Sequence, residues 1–137
     1  MKQKRRIVSF VMTRIAHSPA APEPAAVLVK ALLRTGRQLG LSQRALAGII
    51  GASPATFSRI ASGSRALEAG SKHWELAAML VRIYRALAAV TGGDVTAMRA
   101  WLHGHNRAIG GVPAERLQTV EGLVHVLAYL DAARGRN

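Results

Sequence analysis

Residues 41–63, LSQRALAGIIGASPATFSRIASG, decide how the chain is read. Two short helical patterns meet here at Gly51, and each carries its own start signal. The Ser42 hydroxyl can accept from a free backbone N–H in the first turn of one helix. Ser53 does the same for the next, with Pro54 pre-set at the first helical position. Gly51 fits a turn that needs positive φ, where a residue with Cβ would be strained. Ala47 lies four residues before that glycine, Phe57 six after it and Ile60 nine after it, so the three can close into one small apolar core. The small side chain at 47 lets the two helices cross closely. The stretch therefore predicts two short helices locked across a tight turn.

Charge gives this pair a use. Residues 37–70 hold Arg37, Arg44, Arg59 and Arg65 against the single acid Glu68, a net of +3 with no interspersed carboxylates. A helical hairpin that only packs and binds nothing is the alternative, and this imbalance argues against it. The spacing resembles the helix-turn-helix of the Xre and phage-repressor class. That resemblance makes residues 53–62 the recognition helix. It would present Ser53, Ala55, Thr56, Ser58 and Arg59 to a major groove, with Arg44 and Arg65 joining the DNA contacts. Thr56, Ser58 and Arg59 are the candidates for base edges. Members of the class often carry Trp and Glu where this chain has Ile60 and Ala61.

Upstream, Val27, Leu28, Ala31 and Leu32 recur at helical spacing from about Ala25 to Arg37, Pro24 suits the start, and Gly40 ends the helix. Before it, SPAAPEP (residues 18–24) reads as an extended linker, because its three prolines cannot donate backbone hydrogen bonds. The first 17 residues carry Lys2, Lys4, Arg5, Arg6 and Arg14 and no acid. The apolar run before Arg14 is short for a secretory signal, so a basic arm is expected, either solvated or touching DNA.

Downstream, Ser71 is set to cap a long helix from Lys72 to Thr91. Trp74, Leu76, Ala77, Met79, Leu80, Val81, Ile83, Tyr84, Leu87 and Val90 cover most of its circumference. A helix apolar on nearly all sides is a buried one. It is either the central strut of the core or a helix shared with a second subunit. Gly92 and Gly93 break it, and Asp94 can cap the next helix, which carries Met98, Trp101 and Leu102. The first four helices, each with its own apolar stripe, are expected to fold without the residues after Gly104.

The second informative stretch is AWLHGHNRAIGGVPAERLQTVEGLVHVLAYLDAARG (residues 100–135). A helix ends near His103, a glycine-bearing loop runs to Pro113, and a short turn holds Leu117. Thr119 then caps a last helix with a stripe of Val120, Leu123, Val124, Leu127 and Leu130. The Asn106, Gly110-Gly111 and Pro113 cluster, followed by Thr119 and Glu121-Gly122, is similar to the toxin-binding domain of the Xre/MbcA/ParS antitoxins. Family members pair with RES-domain toxins, which consume NAD or use it to ADP-ribosylate a target. Their C-terminal helices cover the toxin's active-site cleft. By that resemblance Trp101, Asn106, Gly110, Gly111, Pro113, Arg134, Gly135, Arg136 and Asn137 lie at the toxin interface. The family usually finishes with an apolar or aromatic residue after the position of Gly135, whereas this chain ends Arg136-Asn137.

Composition bounds the rest. With 137 residues and 50% hydrophobic content the chain can bury one real core. Its formal charge of +12, from 19 Lys and Arg against 7 Asp and Glu, predicts attraction to polyanions, nucleic acid first. Without cysteine no disulfide or thiolate metal site forms. His73, His103, His105 and His125 lack a carboxylate cluster, so no metal is expected. No nucleophile–base pairing and no nucleotide fingerprint appears, so neither an enzyme nor a cofactor is expected. The expected fold is all-α: residues 1–24 as arm and linker, 25–92 as an Xre-like helix-turn-helix bundle, and 93–137 as a small helical toxin-binding domain. The expected function is that of a cytoplasmic antitoxin, not membrane-bound, that inhibits a RES-domain toxin and represses its own operon on operator DNA. It would act as a homodimer within a hetero-oligomeric complex; a stand-alone transcriptional regulator is the alternative.

Overall fold

A computed structural model describes residues 23–135. Seven helices follow one another: α1 (Pro24–Leu39), α2 (Gln43–Ile50), α3 (Pro54–Ser62), α4 (Lys72–Thr91), α5 (Val95–His103), α6 (Pro113–Arg116) and α7 (Val120–Gly135). Among the described residues there is no strand, only an isolated antiparallel bridge between Asn106 and Gly111. The all-α expectation is met.

Local chemistry sets the helix boundaries. Ser42 accepts from the Ala45 amide, Ser53 from Thr56, Ser71 from Trp74, and Asp94 from both Thr96 and Ala97. Each cap satisfies an amide that the first turn leaves without a partner, worth about 1 kcal/mol apiece. Gly51 takes φ 75° between α2 and α3, as the turn requires. Ala47, Phe57 and Ile60 are buried together behind it.

Everything packs on α4. Ala77, Leu80, Ile83, Ala86 and Leu87 are at most 1% exposed, covered chiefly by α7 on one side and by α1, α2 and α5 on the others. Of the two readings of this helix, the single chain already supplies the central strut, and α4's apolar character needs no second subunit. The core is continuous from end to end. Leu102, Ile109, Leu117, Leu123, Val126, Leu127 and Leu130 belong to the same buried cluster as Leu32, Leu46, Ile50 and Phe57.

Two expectations change as a result. The first four helices do not pack only among themselves, because the broadest contact of α4 is with α7. The stripe on the last helix is also rotated: Leu123, Leu127 and Leu130 face α4 together with Val126, but Val120 and Val124 are 59% and 48% exposed. Period 3.6 admits either arc on a helix that is apolar nearly all round. The corner between α6 and α7 selects the inward one. Gly122 sits against the Arg116 carbonyl, where a Cβ would collide with the oxygen, and its amide donates to Thr119 Oγ1.

A chain ending at Gly104 should therefore lose cooperative folding. It lacks the buried side chains of Ile109, Leu117, Leu123, Val126, Leu127 and Leu130. Each is worth about 1.5–3 kcal/mol, against a total stability of about 5–15 kcal/mol for an ordinary domain. Circular dichroism on heating should show no sharp transition in that chain and a sharp one in the intact protein. Gly122→Ala should lower stability by about 1–3 kcal/mol through overpacking at the corner, read from the shift in urea midpoint.

Candidate functional site

The α2–turn–α3 unit carries a set of exposed polar side chains. On α3, Ala55, Ser58 and Arg59 are exposed and Thr56 is half-buried; Ser53 at its cap, Arg44 in the first turn of α2 and Arg65 just beyond α3 are exposed as well. These seven residues, singled out from sequence, lie on α2, at the cap and on the body of α3, and in the turn after it. Arg65 Nη1 donates to Thr56 Oγ1 at 3.4 Å, which joins the loop to the front of α3. The end of α3 is tied at one atom: the Arg59 carbonyl accepts from the Arg65 amide and from the hydroxyls of Ser62 and Ser64.

Among the described residues no carboxylate pairs with this face. The ion pairs there are Lys72–Glu75 and Arg82–Asp131, both on other parts of the surface. The arginine charges at 44, 59 and 65 are thus available to an external anion. The face is chemically suited to phosphates and base edges, with arginines beside small hydroxyl side chains.

A second surface forms around the loop after α5. Asn106 organises it from inside: its Oδ1 accepts from the amides of Ala108 and Ile109, and its backbone exchanges two hydrogen bonds with Gly111, at 2.8 and 3.1 Å. Ile109 is pinned in the core at 1% exposure. Gly110 is exposed and Gly111 half-buried, and a Cβ built on either meets nothing within 4 Å. Gly111 has φ 152°, a conformation that a β-branched residue resists.

The sequence-derived interface residues thus divide. Gly110 is exposed and Gly111 half-buried, with both amides bonded within the loop, and Arg134 and Gly135 are exposed in the last turn of α7. Pro113 is buried at the first position of α6, and the Asn106 side chain is used within its own loop, so both shape the surface from behind. Trp101 is half-buried and stacks on Tyr129 with ring centroids 6.1 Å apart, tying α5 to α7. Arg136, Asn137 and the basic arm lie outside the described residues.

Sequence reasoning missed the groups that join the two surfaces. The last four carbonyls of α1 have no partner within the helix body. Gly36 accepts from the amides of Gly40 and Leu41; Arg37 and Gln38 accept from Arg99 Nη2 and Nε at 2.7 and 2.9 Å, and Leu39 accepts from His103 Nε2 at 2.8 Å. Gln118 Nε2 donates to the Ala45 carbonyl on α2 at 3.1 Å, and its amide lies over Gly48, where a Cβ would collide with it. His73 Nδ1 likewise meets the carbonyl that ends α2, at 2.9 Å. Two of the histidines considered as ligands are helix caps.

Comparison with known proteins fits this arrangement. Residues 18–82 match the model of the antitoxin Xre-like helix-turn-helix domain, and residues 86–136 match that of the antitoxin Xre/MbcA/ParS C-terminal toxin-binding domain. No match was found among curated proteins. The two matched segments adjoin inside α4, so one helix serves both. With both signatures present in that order over most of its length, the chain belongs to the Xre/MbcA/ParS family of toxin–antitoxin antitoxins.

Proposed function

We propose that this antitoxin neutralises a RES-domain toxin, one that consumes NAD or transfers its ADP-ribose, by covering the toxin's active-site cleft with the surface built by residues 101–137. The same chain represses its own operon through α3. It does both in the cytoplasm, as a homodimer on a palindromic operator and within a larger toxin–antitoxin complex. The observation that carries this reading is the pairing, on one core, of an arginine-bearing α2–α3 face without carboxylate partners among the described residues and an exposed glycine loop inside the toxin-binding match. The first suits a polyanion and the second suits close approach by another protein's backbone.

On DNA, two copies should place their α3 helices in successive major grooves about 34–36 Å apart. The logarithm of affinity for the protein's own promoter should fall linearly with the logarithm of salt, at about 0.9 per phosphate neutralised. Arg59→Ala should relax sequence preference by about 1–3 kcal/mol at one base pair, because Arg59 stands on the outer face of α3. Arg44→Ala should weaken all sequences alike. Fluorescence anisotropy on operator and scrambled duplexes distinguishes these outcomes; equal affinity for both duplexes refutes specific repression.

Toward the toxin, Gly111→Val should strain the loop at φ 152° and crowd its outer side while leaving the α2–α3 face untouched. Growth and NAD level of cells co-expressing a RES-domain toxin are the readout. Protection should be lost with Gly111→Val and kept with Arg59→Ala. The reverse pattern would show that the two activities are assigned to the wrong surfaces.

A further inference from the structure

A groove of about 600 Å³ opens between α1 and α4, and every residue lining it belongs to one of these two helices. It shares no residue with the α2–α3 face or with the loop around Asn106. Val27, Lys30 and Arg34 recur at three and then four residues, so they form one face of α1; Val81, Tyr84 and Arg85 do the same on α4. The groove is thus walled by two valines and a half-buried aromatic ring, with three exposed cations around it.

Folding alone gives no reason for that charge. Lys30 and Arg34 stand four residues apart on one helix face, a like-charge spacing that weakens α1, and Arg85 adds a third cation from across the groove. No carboxylate lines the groove, and the ion pairs among the described residues, Lys72–Glu75 and Arg82–Asp131, leave all three cations out. An anion seated between them turns mutual repulsion into shared attraction. Thr35, also on the lining, is 1% exposed, and its hydroxyl has no hydrogen-bond partner. A threonine inside a helix can return its hydroxyl to a carbonyl three or four residues back. This one does not, so the lining holds a buried donor that the protein itself does not use.

We propose that the α1–α4 groove binds a small amphipathic anion, an apolar or aromatic body bearing one carboxylate or phosphate. Its volume suits such a ligand, since small-molecule sites span roughly 300–1,000 Å³ and combine apolar walls with a few convergent polar groups. Other occupants fit less well. A second copy docked by the same face would bring three more cations against the first three. The first 22 residues of the chain carry Lys2, Lys4, Arg5, Arg6 and Arg14 and no acid, so they are repelled in the same way. A DNA backbone would engage the cations and leave the valines and the tyrosine ring without a partner. A ligand bridging α1 and α4 also ties together two helices on which α2 and α3 rest.

The test is titration calorimetry on the full chain with four probes. Naphthoate and naphthyl phosphate join an aromatic body to each headgroup; naphthamide keeps the body without the charge, and inorganic phosphate keeps the charge without the body. One of the first two should bind at least about ten times more tightly than either of the last two, and the tighter of the pair identifies the headgroup. It should also raise the melting temperature with the logarithm of its concentration. R34Q/R85Q should weaken that binding about tenfold and R34K/R85K should keep most of it, with the free proteins melting no lower than the wild type. Affinity for both charged naphthyl probes no greater than for naphthamide or inorganic phosphate overturns the proposal, as does affinity unmoved by R34Q/R85Q. A fall in the mass of free R34Q/R85Q by light scattering would make the groove an interface between copies, and displacement of the probe by duplexes of any sequence would make it a DNA contact; either result overturns it too.

Discussion

Burial of α4 against α7 is the constraint on which the rest of this molecule depends. A chain of this length can remove only one sizeable core from water, and α4 is apolar around nearly its whole circumference. Leaving one side of it bare would expose a continuous hydrophobic strip, so α7 must lie along it before the remaining helices have a stable platform. The consequence is that the two matched segments share one hydrophobic core. Both family signatures end or begin inside α4, and the side chains of both meet in a single cluster.

Polar contacts reinforce that unity where hydrophobic packing stops. Arg99 and His103 close the C-terminus of α1, and Gln118 reaches α2 beside its N-terminal turn. Cations and donors at a helix C-terminus satisfy carbonyls that water would otherwise hold, and they complement the dipole there. Each of these side chains belongs to the toxin-binding segment, and each grips the backbone leading into or forming the α2–α3 unit. Position and orientation of α2 and α3 therefore rest in part on residues far along the chain.

How much of this the sequence disclosed depends on the range of the interaction. Helix starts at Ser42, Ser53, Ser71 and Asp94 were legible because a cap acts within three residues. So was the Gly51 turn, and so was the burial of Ala47, Phe57 and Ile60 behind it. The grips of Arg99, His103 and Gln118 were not, since a side chain donating to a backbone carbonyl 61 to 73 positions away leaves no partner residue type to recognise. The exposed row on α7 was hidden for another reason: when valine and leucine occupy nearly every angle of a helix, periodicity does not say which arc faces in. Asn106 and Pro113 were recognisable as a cluster, but pattern alone does not separate residues that shape a loop from residues that a partner touches.

Charge then divides by surface what the core unites. Across residues 37–70 four arginines face one acid, whereas residues 113–135 carry Glu115, Glu121 and Asp131 against Arg116 and Arg134. A polyanion near the protein is drawn to the first region and mildly repelled by the second, within the roughly 8–10 Å over which salt leaves such fields unscreened. Val120 and Val124 stand exposed there beside Glu121, so that side of α7 carries no arginine for a phosphate backbone. Two faces on so small a core differ in charge density: arginines without acids close by on the first, mixed charges around an apolar helix on the second.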